Sequence, residues 1–378
     1  MKVLQLVKTS VGATWALKQM RELVKLGVEV HVALPTDGLL IEKYKEFGIT
    51  VHAISYSLSH LYTSCKRLRQ IVEEVNPDII HSHFVLTTFI MRMALRADKR
   101  PRIFQVPGPL HLENIFFRKL DLWTARKNDI WVGSCKWTND CYASNGISHD
   151  RLFLSYYGND RMYEKSQVCN KIHKELNLNE DTILIGMVAY MYPPKYYLGQ
   201  TRGLKGHEDF IDAIALVSQK YPQVYGICIG GPWKNGEAYE QKVKRYAQRK
   251  TDHIYFLGMR SDIPDLYADM YCVVHPSLSE NLGGAAESLA LGVPTVATRV
   301  GGFTDIVIEK ETGLLVPPKD PDYLAHTLID MLEGKYNLVK MSECGERLVH
   351  KMLDVKNTAR TIFDICLLYT SPSPRDTE

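Results

Sequence analysis

The chain reads as an α/β protein built from two doubly wound domains. Three observations predict this. Short apolar runs alternate with helical patterns from end to end, which is the pattern of parallel sheets covered by helices. The alternation lapses over Asn159–Glu180, a polar, charged segment without clear period. A length of 378 residues suits two ordinary domains.

The elements follow in order. In the first half, Val3–Val7 reads as a strand, Thr14–Leu26 as a helix and Glu29–Leu34 as the next strand. Further strands are expected at Thr50–Ile54, Asp78–His81, Arg102–Val106, Ile130–Val132 and Leu152–Ser155. Gly12 lies in the first strand-to-helix loop. A fresh series starts at Thr182–Ala189 and continues with Val224–Ile229, Ile254–Phe256, Tyr271–Val274, Thr295–Ala297 and Leu314–Val316. The expected division is a first domain over 1–165 and a second over 166–350, with a cleft between them. A helix over 351–365 is expected to return to the first domain. Ligands of such sheets bind at the carboxyl ends of the strands.

The segment 366–378 stands apart. Cys366–Asp376 back-translates to a string resembling a transposase sequencing adapter read in frame. It is therefore expected to be a non-native tail whose removal leaves stability unchanged or improved, with the true C-terminus missing.

Composition narrows the function classes. Apolar residues make up 45% and charged residues 24%, an ordinary globular mixture. A net charge of +3 is too mild to argue for nucleic acid. The apolar run at the start is too short for a signal peptide. No stretch approaches the ~20 apolar residues of a membrane span. Eight cysteines contain no Cys-x-x-Cys pair, so neither a zinc knuckle nor a redox motif is indicated. A reducing cytoplasm is the simplest compartment.

The most informative stretch is His275–Pro294. An apolar strand, Met270–Val274, hands over at Gly283-Gly284 to an apolar helical run ending at Gly292. A helix start offers free amides and partial positive charge, which suits a phosphate. Glu280 and Glu287 bracket that spot. Carboxylates only accept hydrogen bonds, and sugar hydroxyls need acceptors. Donors flanked by acceptors at a strand end point to a sugar-nucleotide site.

These residues resemble the paired-glutamate signature of glycosyltransferase family 4, retaining sugar-nucleotide transferases of the GT-B fold. The family usually places seven residues between the glutamates; here six stand between them. Glu287 aligns through Glu-Ser-Leu-Ala-Leu-Gly-Val-Pro. Gly203–Phe210 resembles the family's Lys-Gly segment, where an Arg and a Lys grip the donor diphosphate. Lys205 matches the Lys. Either Arg202 or Lys195 supplies the second cation, and Arg202 is preferred for its proximity to Lys205.

The resemblance assigns the donor side to Gly230, Gly231, Met259, Arg260, Asn281, Leu282, Gly283, Gly284 and Glu287. Met259 and Arg260 are the base-contact candidates. Glu280 is expected to hold sugar hydroxyls, and Glu287 the ribose. On the acceptor side stand Gly12 and the pair His81 and His83 of a Pro-Asp-x-x-His-x-His pattern. Pro107 occupies the place of a catalytic-site His in relatives, so His111 becomes the substitute candidate.

No metal or other cofactor is expected. Asp320-Pro321-Asp322 is the lone Asp-x-Asp, and it reads as the cap of a helix. The implied partners are a nucleotide diphosphate sugar and a glycan or lipid-linked acceptor. Arg92, Arg96, Lys99, Arg100 and Arg102 cluster. So do Arg118, Lys119, Arg126 and Lys127 among Phe116, Phe117 and Trp123. That mixture suits peripheral contact with the inner face of an anionic membrane, and equally an ordinary solvated helix face. The implied function is sugar transfer with retention, in surface polysaccharide or glycolipid synthesis. A catalytically silent sugar-nucleotide-binding subunit and a GT-B phosphorylase are the alternatives.

Overall fold

The computed structural model describes residues 1–160, 170–196 and 199–370. Among them, the first sheet holds β1 (Lys2–Leu6), β2 (Glu29–Leu34), β3 (Thr50–Ala53), β4 (Ile79–Ser82), β5 (Arg102–Val106), β6 (Asp129–Gly133) and β7 (Leu152–Leu154). Its strand order is β3-β2-β1-β4-β5-β6-β7. The second sheet holds β8 (Ile183–Val188), β9 (Val224–Ile229), β10 (Ile254–Gly258), β11 (Cys272–His275), β12 (Thr295–Thr298) and β13 (Leu314–Val316). Its order is β10-β9-β8-β11-β12-β13. Every strand pairs in parallel with its neighbours. All thirteen expected strands form, with ends within about two residues of their expected places.

Both faces of each sheet are covered, as parallel sheets require. Side chains alternate across a strand, so one strand feeds two cores. In β1, Val3 enters one apolar cluster while Leu4 and Leu6 enter the opposite one. Ile79 and Ile80 divide in the same way in β4. In the second sheet, Ile185, Cys228 and Val274 face one cluster, and Leu184, Ile227 and Val273 the other.

The chain divides into two compact units, Met1–Asp160 with Met352–Glu378, and Arg161–Lys351. The first takes in the helix Val355–Thr370, which packs on the helix Thr14–Lys25. Ile362, Ile365 and Cys366 enter the core on that side of the sheet. The helix thus runs past residue 365, where a foreign tail was expected to begin. Cys366 is fully buried. Tyr369 packs edge-on against Phe153, and its hydroxyl donates to the Asp150 carbonyl at 2.8 Å. Residues 366–370 are therefore packed, because apolar side chains at positions 362, 365, 366 and 369 continue one helical stripe. The remainder of that segment, 371–378, lies outside the described residues.

Candidate functional site

The second sheet reverses its winding between β8 and β11, and ligands of such sheets collect in the crevice at that point. A cavity of about 420 Å³ opens there. The end of β8 supplies Val188 and the loop after it Tyr190; the end of β9 supplies Ile229, followed by Gly230. The loop after β10 supplies Met259 and Arg260, and the helix Gly283–Ala290 supplies Gly284 and Glu287. Lys205 and Tyr192 enter from the loop after β8. A smaller recess shares Lys205 and Gly284 and adds Glu280 and His275.

Two glycines let the backbone come this close. Gly230 has φ +129°, and a Cβ there would sit 2.1 Å from the Ala189 carbonyl oxygen. Gly206 has φ +75°, and its Cβ would sit 2.0 Å from the Pro276 carbonyl oxygen. The amide of Leu278 donates to the Leu204 carbonyl at 2.8 Å. These contacts pin the Lys205 loop against the loop carrying Glu280.

Lys205 forms an ion pair with Glu280, both largely buried. The Lys205 ammonium also lies 5.6 Å from the centroid of the Tyr192 ring. Burial, with the nearby Glu280 carboxylate, pushes the Tyr192 phenol up to about 12. The helix Gly283–Ala290 has no side-chain cap, and Gly284 in its first turn lines the cavity. Glu287 accepts a hydrogen bond from the Tyr267 hydroxyl at 3.3 Å. His275 lies beneath the helix start, its Nε2 3.0 Å from the Ser288 hydroxyl. Burial and then Lys205 lower its pKa to about 3, so the ring is neutral.

The expected donor residues separate by position. Gly230, Met259, Arg260, Gly284 and Glu287 line the cavity; Gly231, Asn281, Leu282 and Gly283 shape the turns beside it. The guanidinium of Arg260 is held by Asp262 at 2.9 and 2.8 Å and by Glu175 at 2.7 Å, so its charge is taken.

Arg202 does not join Lys205. It pairs with Asp209 and, at 3.0 Å, with Asp212, because the helix His207–Lys220 turns both carboxylates toward it. Lys195, the other cation considered, does not line the cavity either. Tyr190, Tyr192 and His275 are cavity neighbours that sequence reasoning missed. Both tyrosines lie in the loop after β8.

In the first unit, Gly12 is exposed beside the start of the helix Thr14–Lys25. His81 and His83 are fully buried and stack with ring centroids 4.3 Å apart. His83 bonds Gln5 at 2.7 Å and Tyr157 at 3.0 Å. Burial lowers His81 to about 3 and His83 well below the usual imidazole range. Neither ring is open to an acceptor: His81 lies in β4 inside the sheet, and His83, just after it, is fully buried with both ring nitrogens bonded.

His111 is likewise structural. Its Nε2 lies 3.2 Å from the Tyr142 hydroxyl and 3.7 Å from Asp121. Asp121 belongs to a buried ionic network. It pairs with Arg92, while Arg102 reaches Asp129 at 2.7 Å. Arg92 and Arg102 are thus core cations, not part of a basic surface. Phe116 and Trp123, by contrast, are 66% and 82% exposed on the helix Ile115–Thr124. The Asp320 side chain accepts from the Tyr323 amide at 2.9 Å, as a helix cap does.

Family models match most of the chain. Residues 12–160 match the model described as Glycosyltransferase Family 4, and residues 195–334 the one described as Glycosyl transferases group 1. An uncharacterised glycosyltransferase of Methanocaldococcus jannaschii is 23% identical over 336 residues, 86% of each chain. The capsular polysaccharide biosynthesis glycosyltransferase CapM of Staphylococcus aureus is 25% identical over 353 residues, 88% of each. The structure of Anabaena HepE in complex with UDP superposes with a TM-score of 0.79 at 20% identity, covering 97% of this chain and 99% of that one. Fold and comparisons together define a GT-B glycosyltransferase. Within that class, the chain belongs to glycosyltransferase family 4, of the group 1 type.

Proposed function

We propose that the protein transfers a sugar from a nucleoside diphosphate sugar to a glycan or lipid-linked saccharide, with retention at the anomeric carbon. The observation that carries this is one cavity in which Lys205, an uncapped helix start at Gly284 and the carboxylate of Glu287 converge, with Glu280 in the adjoining recess. Donors and positive charge suit a diphosphate; carboxylates suit ribose and sugar hydroxyls. Met259 and Arg260 stand at the base end.

As the bond from the anomeric carbon to the phosphate oxygen breaks, charge grows on the departing diphosphate. Lys205 and the fixed amide dipoles stabilise it without reorganising. The acceptor oxygen bonds to the anomeric carbon on the same face, and its proton passes to the departing phosphate. Positive charge on the diphosphate is supplied by the chain itself, so a divalent metal is not needed. HepE, a structural neighbour, is described in complex with UDP and with UDP-glucose, which supports uracil as the first base to test. The exposed aromatic rings and Lys119 on the helix Ile115–Thr124 support peripheral contact with an anionic membrane.

The test is a thermal-shift panel of UDP-, GDP- and ADP-sugars, followed by turnover of the best donor with and without EDTA. A ligand at 100 times its Kd adds about 2.7 kcal/mol of stability, within easy reach of such a panel. Proton spectra of the product report its anomeric configuration. No donor binding, abolition by EDTA with rescue by Mg²⁺ or Mn²⁺, or an inverted product each overturns the corresponding part of the reading.

A further inference from the structure

A second cavity, of about 550 Å³, lies in the first unit at the carboxyl ends of β2 and β3. No candidate residue drawn from the sequence touches it. Its floor is apolar, with Ile54 at the end of β3. Its walls are polar: Asp37, Ser55, His60, Thr63 and Arg67. Four of the lining residues, His60, Thr63, Ser64 and Arg67, come from the start of the helix Leu61–Val75, where they share one face.

The charges divide across the pocket. Arg67 is held by two bonds, from Nε to the Ala53 carbonyl at 3.2 Å and from Nη1 to Glu74 at 3.1 Å. Unlike Arg260, which two carboxylates hold, its guanidinium pairs with the single exposed carboxylate of Glu74 and has donors to spare. The helix start at His60, which also lines the pocket, has no side-chain cap and adds partial positive charge there. Opposite stands Asp37, which accepts from the Ser10 hydroxyl at 3.3 Å through one oxygen and keeps the other. The hydroxyl of Ser64 is spent on the Ser55 carbonyl at 2.8 Å, which ties the helix start to the β3 end. The rim segments expose Leu58 and Tyr62, at 65% and 77%, beside His60 and Thr63.

We propose that this pocket binds an acidic hexose, a pyranose carrying a carboxylate or phosphate, as the sugar unit of the acceptor. Arg67 takes the anionic substituent. Asp37 accepts from ring hydroxyls, and Ile54 with the rim side chains meets the apolar face of the ring. The acceptor role rests on the transferase reading; the pocket's ligand chemistry does not. It also relocates acceptor recognition from the buried His81 and His83 to a cavity that solvent reaches.

The test uses the full chain saturated with UDP, which occupies the donor cavity. Glucose 6-phosphate, glucuronate and glucose are titrated, with binding read by saturation-transfer difference NMR and by calorimetry. The acidic sugars are expected to bind more than about tenfold more tightly than glucose, the scale of one charge-assisted hydrogen bond. Arg67→Gln is expected to erase that preference, and Arg67→Lys to restore part of it. Asp37→Asn should weaken all three sugars. Melting curves confirm that each variant folds. Equal binding of acidic and neutral sugars, an unchanged preference in Arg67→Gln, or no binding of any sugar overturns the proposal. If UDP itself fails to bind, the donor reading falls instead. The same titrations on UDP-free protein, read against Arg67→Gln, then still decide the pocket.

Discussion

Lys205 and Glu280 neutralise one another, so a donor must separate them: its diphosphate takes the ammonium and its sugar hydroxyls the carboxylate. The two variants should therefore fail differently. Lys205→Ala removes a charge-assisted contact worth about 1.5–3 kcal/mol in binding. In the transition state its loss should cost on the order of 10²–10³ in kcat, the scale of losing one oxyanion donor. Glu280→Gln turns one acceptor into a donor, so it should blur sugar choice while UDP affinity holds. UDP affinity and turnover with several donor sugars, measured for both variants, check this. Wild-type turnover in Lys205→Ala would reverse the assignment. Arg202→Ala belongs to another class. It strands Asp209, whose carboxyl burial already pushes up, at a cost of about 1–3 kcal/mol in stability. Donor affinity should stay at the wild-type value, and a tenfold loss of affinity in a stably folded variant would return Arg202 to the donor. Lys205, Gly284 and Glu287 were legible because each sits in a local motif. The fate of Arg202 was not, because it depends on which face of the next helix carries Asp209 and Asp212.

At the scale of elements, the helix Val355–Thr370 bears on where the chain can be shortened. Cutting after Ile365 removes Cys366 from the core and Tyr369 from Phe153 and Asp150. Deleting buried side chains of this size costs about 2–5 kcal/mol. Cutting after Thr370 removes none of these contacts. Melting temperatures of the two truncations should therefore differ, with the longer form more stable. Equal melting would mean that positions 366–370 contribute nothing to the first unit. The strands were all legible because apolar runs between polar turns carry their own period. The loop after β8 was not. Tyr192 stacks on Trp233 and Tyr190 meets it edge-on, with ring centroids 5.0 and 5.3 Å away, a contact between two loops that periodicity does not encode.

Across the whole molecule, buried histidines set the response to acid. His81 and His275 are lowered to about 3 and His207 to about 4, in each case chiefly by burial. Two lie in the second unit and one in the first. Unfolding frees each ring to take a proton below about pH 6.5. The unfolded state then binds more protons, so stability falls as pH falls from about 6.5 toward 4. Each histidine contributes up to about 1.4 kcal/mol per pH unit in that window. Melting temperature should thus be flat between pH 7 and 8 and fall steadily below 6.5, with a shallower fall in His81→Gln. A melting temperature unchanged down to pH 4.5 would show that the rings are solvated in the folded protein.

The sequence by itself determined the two parallel sheets, since alternating apolar strands and helices of this spacing leave few other solutions. It also determined the strand-to-helix turn at Gly283-Gly284 and the residues around it, because a phosphate-type turn is local in the chain. Only the tertiary structure decided which polar residues are available. Arg92, Arg102, His81, His83 and His111 look like site residues along the chain, yet all are consumed inside the first unit. Arg67 and Asp37, thirty positions apart and unremarked in the sequence, meet at one cavity. Burial and long-range pairing decide such roles, and neither has a signature within a few residues of the side chain concerned.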